Sequence, residues 1–171
     1  MKDFIREAFY ILCKTNEVKA ISVRTIINRA GINRSTFYYY YSNKQDLIQQ
    51  LQEEVLDALF NILTYRENRA DHLLGIFSNY HSPEVYASCN HIKENLNRYK
   101  VWFNDIEFLD KFSKRLLEYL TTISSNRLYC MYFTYGTIGY FNQWISRGCP
   151  GNSDEIAEEI LQMSKHSFSE Y

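Results

Sequence analysis

The stretch Gly31-Ile32-Asn33-Arg34-Ser35-Thr36-Phe37-Tyr38-Tyr39-Tyr40-Tyr41-Ser42-Asn43-Lys44 decides the reading of this chain. Glycine enters the left-handed backbone region without steric cost, so Gly31 closes the short helical pattern before it. Asn33 is an N-cap residue type and opens the next pattern, from Arg34 to about Tyr40. Ser42-Asn43 breaks that pattern, and Lys44 begins another. Phe37 and Tyr41 form an apolar side, while Arg34, Ser35, Thr36, Tyr38, Tyr39 and Tyr40 form a polar one. Hydroxyls and cations suit phosphates, and base edges are read by hydrogen bonds and apolar contacts. A short helix after a tight turn suits insertion into a DNA major groove.

Working outward, Ser22 is an N-cap for a helix over Val23 to Ala30, with Ile26 and Ile27 facing inward. Before it, Phe4, Ile5, Ala8, Phe9 and Leu12 recur at helical spacing and predict a supporting helix of about twelve residues. Together these make the supporting helix, helix, turn, helix order of a helix-turn-helix domain. After Lys44, the apolar series Leu47, Ile48, Leu51, Val55, Leu59, Ile62 and Leu63 predicts a long helix. Helix is also predicted over 68–80, then from Pro83, which suits a first turn, to about Phe103. Asp105 caps a further helix, whose inner face is Ile106, Leu109, Phe112, Leu116, Leu117 and Leu120. An aromatic helix runs from about Arg127 to Arg147 and ends at Gly148-Cys149-Pro150-Gly151. Asn152 and Glu155 are spaced as a capping box for the last helix. No strand pattern occurs. The expected fold is all-α: a three-helix helix-turn-helix domain over 1–48, then a helical bundle over 49–171.

Charge divides the same way. Residues 1–50 hold eight basic and four acidic side chains, a net of +4, and the remainder carries −5 to give −1 overall. A basic head on an acidic body suits a polyanion at one end. With 171 residues, 46% of them hydrophobic, the chain can bury a real core. It shows no apolar run of membrane-spanning length, so no membrane partner is expected. The N-terminus is too charged for a signal peptide, and a cytoplasmic location is the expectation.

Metal and enzyme signals are weak. Cys13, Cys89, Cys130 and Cys149 form no C-x-x-C pair, and no histidine stands at zinc-finger spacing, so free thiols are expected. His72, His81, His91 and His166 lie far apart, and no Glu-x-x-His pair, G-x-S-x-G elbow or phosphate-binding glycine loop occurs. No cofactor, metal or catalytic residue is therefore expected. The Asn33-Arg34-Ser35 sequon is read as accidental.

The residues from Ser22 to Leu47 resemble the DNA-binding domain of TetR/AcrR-type transcriptional regulators, over roughly residues 1–60. The order of Gly, Thr-Phe-Tyr, aromatic and Lys-x-x-Leu carries this resemblance. The run Tyr135-Gly136-Thr137-Ile138-Gly139-Tyr140-Phe141-Asn142-Gln143-Trp144-Ile145-Ser146-Arg147-Gly148 resembles the last-but-one helix of a subgroup that includes regulators of dihydroxyacetone kinase operons. The resemblance implies an all-helical homodimeric regulator, a repressor by preference, that binds a roughly palindromic double-stranded operator. It places Ser22, Arg34, Ser35, Thr36, Tyr38, Tyr39, Tyr40 and Lys44 at DNA, with Tyr38 and Lys44 on phosphates. The unbroken tyrosine block leaves open which of Tyr39 and Tyr40 reads a base.

Two sets remain in the body, each with two readings. Gly136, Thr137, Tyr140, Phe141, Trp144, Ile156, Ile160 and Leu161 form either a dimer seam, which we favour, or intrachain core. Tyr86, Cys89, Trp102, Phe103, Tyr132 and Tyr135, with His91 and Tyr99 nearby, either line a pocket for an effector or are plain core. The effector would be a small molecule or a protein. The competing function is a helical protein-interaction module with weak or no DNA binding.

Overall fold

The computed structural model of the protein describes residues 1–65 and 82–166. The helix expected over 68–80 lies outside the described residues. The chain divides into two compact units, Met1–Leu56 and Asp57–Tyr171. Among the described residues every regular element is helical.

The first unit holds α1 (Lys2–Cys13), α2 (Val23–Ala30), α3 (Arg34–Tyr40) and the start of α4 (Lys44–Thr64), with a 3-10 turn over Val18–Ala20. Each junction follows from local chemistry. Ser22 Oγ accepts from the Thr25 N–H at 3.1 Å, which satisfies one of the donors that a helix start leaves open. Gly31 ends α2 at φ 64 and ψ 33, the left-handed conformation that disfavours a side chain. Asn33 Oδ1 then accepts from the Thr36 N–H at 2.8 Å and opens α3. Helix α1 packs on α2, and α2 on α3. Ile5, Phe9, Ile26, Phe37, Tyr41, Leu47 and Leu51 are buried in the core of this unit. Arg6 forms an ion pair with Glu54 and so ties α1 to α4 at the unit's edge.

The second unit contains the end of α4, α5 (Pro83–Glu94), α6 (Leu96–Trp102), α7 (Ile106–Ile123), α8 (Arg127–Ser146) and α9 (Ser153–His166). A single helix from Pro83 to Phe103 was expected, but Asn95 divides it. Its side-chain N–H donates to the His91 carbonyl at 2.9 Å, a local bond that competes with the helical ladder. Asp105 caps α7 by accepting from the Phe108 N–H. Helix α5 packs on α9, and α7 on α8. Trp102, Phe103, Phe108 and Phe112 fill the core, with ring centroids 5.7–6.4 Å apart along the cluster. None of the described helices is long and apolar enough to cross a membrane.

Candidate nucleic-acid interface

Asn33 is the pivot of α3. Its Oδ1 accepts from the Thr36 amide, from Thr36 Oγ1 at 2.7 Å and from Ser35 Oγ at 2.7 Å. The cap fixes the helix start, and the short side chains of Ser35 and Thr36 are held against it. Phe37 then points fully into the core while Tyr39, two residues on, is 80% exposed. Tyr38 is 43% exposed and edge-on to Phe37, and the Arg34 guanidinium lies 5.4 Å from its ring centre. A guanidinium over an aromatic face keeps its N–H groups available while the ring fixes its direction. Tyr40 is half-buried and meets Tyr39 edge to face at 4.9 Å. Arg34, Ser35, Tyr38 and Tyr39 therefore share an outward, hydroxyl- and cation-bearing surface. Ser22 is exposed at the start of α2, beside exposed Arg24 and Thr25, which the sequence reading passed over.

Lys44 is placed differently from expectation. Its Nζ donates to the carbonyls of Val18 at 3.0 Å, Lys19 at 3.2 Å and Ile21 at 2.8 Å. An ammonium has three donors, and all three are engaged within the chain. The start of α4 is likewise closed. The Asp46 N–H donates to Asn43 Oδ1, and the Asp46 carboxylate accepts from the Ser42 N–H and from Gln50. Gln50, then the Ser42 amide, holds that carboxyl below its ordinary range, so the helix start carries a negative group. The assignment of Lys44 to a phosphate does not carry forward. The bonds make it a clamp on the 3-10 turn that leads into α2.

In the second unit most of both expected sets is intrachain core, and two of the expected pocket residues face outward. Thr137, Phe141, Trp144, Ile160 and Leu161, read as a dimer seam, are buried within the subunit. Tyr140 is half-buried and donates to Glu159 of α9, and Ile156 is half-buried. Only Gly136 of that set is exposed. Conversely Tyr132 and Tyr135, read as pocket residues, are 76% and 59% exposed. Cys89, Trp102 and Phe103 are core, and Tyr86 is half-buried on α5. The reason lies in α8. Its apolar residues occur on all sides, so periodicity does not say which side faces inward. In the folded unit Leu128, Met131, Tyr132, Tyr135, Gly136 and Gly139 follow one outward stripe, at helical spacing.

A cavity of about 70 Å³ does lie within this unit, but none of the six expected residues lines it. Leu59 and Leu63 of α4, Val85 and Ser88 of α5, Phe112, Leu116 and Leu120 of α7, Phe133, Thr137 and Phe141 of α8, and Ile160 of α9 form its walls. Glu84 also lines it, and its carboxylate accepts from Ser82 Oγ at 3.0 Å. Among the described residues no cluster of three or more His, Cys, Asp or Glu could hold a metal ion. The four cysteines are free thiols, and burial raises Cys89 to about 12 and Cys13 and Cys149 to about 11. Such thiols stay protonated and unreactive near neutral pH.

Comparison with known proteins follows this division of the chain. Residues 15–51 match the family profile described as bacterial regulatory proteins, tetR family. Residues 53–166 match one described as transcriptional regulator C-terminal region. An uncharacterized HTH-type transcriptional regulator, YxbF of Bacillus subtilis (strain 168), is 22% identical over 176 residues. That alignment covers 93% of this chain but 43% of the relative, so the chain spans less than half the length of the curated protein it matches. Among solved structures, the dihydroxyacetone kinase operon activator DhaS superposes with a TM-score of 0.66 at 20% identity. The superposition covers 95% of this chain and 93% of that one, a likeness of fold across both units.

Proposed function

Because this chain belongs to the TetR family of bacterial regulatory proteins, we propose that it is a sequence-specific DNA-binding transcriptional regulator acting through the outer surface of α3. The observation that carries the reading is the exposure of Tyr38 and Tyr39 beside Arg34, above a buried Phe37. Tyrosines held in solvent on a capped helix offer hydroxyls to phosphates and base edges in a groove. Tyr38, Arg34 and Ser35 contact phosphates, Tyr39 reads a base edge, and Ser22, Thr36 and Tyr40 stand at the margin of the contact. Lys44 acts indirectly, by holding the turn before α2.

The functional unit is a homodimer whose seam is the outward stripe of α8, with Leu128, Tyr132 and Tyr135 around Gly136 and Gly139. Glycines on that stripe let two helices approach closely. A two-fold pair would present two copies of α3 to a palindromic site. Occupying an operator blocks transcription, so repression is the mode we assign. DhaS is by its name an activator, and a reporter assay with the operator upstream of a promoter decides the sign. The second unit is the place for an effector, small molecule or protein.

The test is sequencing of DNA retained by the purified protein, followed by affinity across a salt series. Log affinity should fall linearly with log salt, as phosphate neutralisation requires. Replacing Tyr39→Ala should cost about 1–3 kcal/mol at one operator position and little elsewhere. Parent-like binding by that variant at every position would overturn the assignment of Tyr39. An absence of DNA binding at low salt by an intact dimer would favour a protein-interaction module instead.

A further inference from the structure

With Lys44 turned inward, the C-terminal end of α3 lacks the cation that a DNA phosphate there would meet. Tyr39, Ser42 and Asn43 are exposed around that end. The Asp46 carboxylate closes the start of α4 beside them, on the Ser42 N–H at 2.7 Å. A phosphodiester passing this junction would face a like charge, which repels it. Three basic side chains belong to this end of α3: Lys44, Arg6 and Lys2. Lys44 gives its donors to the carbonyls of Val18, Lys19 and Ile21. Arg6 neighbours Tyr41 and is paired with Asp3 and Glu54. Lys2 is the first residue of α1, and its ammonium lies 5.6 Å from the centre of the Tyr41 ring. Tyr41 is the C-cap of α3, so this contact brings the ammonium to the end of the helix. A ring face attracts a cation without occupying all of its N–H groups, and an ammonium has three. The same ammonium acts on the Asp46 carboxyl, after Gln50 and the Ser42 amide, in holding it ionised.

We propose that Lys2 is the phosphate-binding cation at the C-terminal end of α3, so that α1 contacts DNA as well as α3. Arg34 serves the other end, about 10 Å away along a seven-residue helix. The two cations bracket Tyr38 and Tyr39 and fix the register of the helix on the duplex, without reading sequence themselves. Lys2 also offsets the Asp46 carboxylate where the backbone of the duplex would pass. This deepens the reading of α3 as the DNA-contacting helix and rests on it.

The experiment uses the whole chain and a DNA duplex selected by retention on it, with affinity measured across a salt series. Lys2→Gln should reduce the steepness of log affinity against log salt by about 0.9. It should weaken binding on the order of tenfold at about 50 mM salt, equally on unrelated sequences. Lys2→Arg, which keeps the charge, should retain the parent slope. Arg34→Gln reports on α3 itself and should also flatten the slope. Combining Lys2→Gln with Asp46→Asn separates contact from charge balance. The flattening persists beside Asp46→Asn if the ammonium binds phosphate, and vanishes if it only offsets the carboxylate. A thermal melt confirms that each variant is folded. A parent-like slope for Lys2→Gln, or a flattening that vanishes beside Asp46→Asn, overturns the proposal, while a flattened slope for Arg34→Gln keeps the reading of α3. A parent protein that binds no duplex at low salt would overturn both.

Discussion

Helix α3 sets Phe37 in the core and leaves Tyr38 and Tyr39 in solvent, whereas α8 buries Phe141 and Trp144 while exposing Leu128, Tyr132 and Tyr135. Both helices are dense in aromatic residues, and both divide them between inside and outside. They differ in what fixes the division. In α3 the start is set by three bonds to Asn33 Oδ1 and the preceding turn by Gly31, and the single buried ring of Phe37 marks the side that faces inward. In α8 only Asn126 marks the start, through the Tyr129 N–H at 3.1 Å, and apolar side chains surround the axis. Its rotation is chosen by packing against α7 and α6. Local caps mark the ends of the first helix and one buried ring its inner side, whereas the second helix takes its orientation from tertiary contacts alone.

That contrast can be broken most directly at Phe37. Truncation to alanine should cost about 3–5 kcal/mol, because a fully buried ring leaves a cavity in a small unit. Denaturant titration should show the loss, with the transition of residues 1–56 shifted ahead of any other. A loss below about 1 kcal/mol would mean that α3 is held by its caps and not by its core side, far less than the usual cost of emptying such a site.

Lys44→Met sharpens the comparison at the next scale. It removes three donors from carbonyls while keeping the aliphatic stem, and should cost about 1–3 kcal/mol by leaving those carbonyls without their partner. The salt slope of DNA binding should remain that of the parent, since the ammonium is engaged inside the chain. A slope reduced by about one unit would return Lys44 to a phosphate role.

The smallest effect is expected at Gly136, and there the sign matters. A Cβ at this position meets nothing within 4 Å. Within a single chain, Gly136→Ala should stabilise α8 by about 0.5–1 kcal/mol, as alanine does in a helix interior. If two α8 stripes pack closely, the same methyl should weaken self-association, seen by sedimentation as dissociation at higher concentration than the parent. A variant that is both more stable and equally associated would place the seam elsewhere.

Legibility followed the same division. Ser22, Gly31, Asn33 and Asp105 were readable as caps and turns because their chemistry acts over three or four residues. The burial of Phe37 and Tyr41 was readable because polar residues surround them in sequence. Lys44 was not, since its partners lie 23 to 26 residues upstream and only the fold brings them to its ammonium. The break at Asn95 left only a polar stretch as its sign.

Taken alone, the order of residues determined that this is an all-helical chain with a capped helix-turn-helix at one end, because caps, glycine turns and amphipathic spacing are local physics. Only tertiary structure decided that Thr137 and Phe141 line a cavity while Tyr132 and Tyr135 face outward. A helix apolar on every side has no preferred rotation of its own, and the neighbours that bury one side of it are distant in sequence.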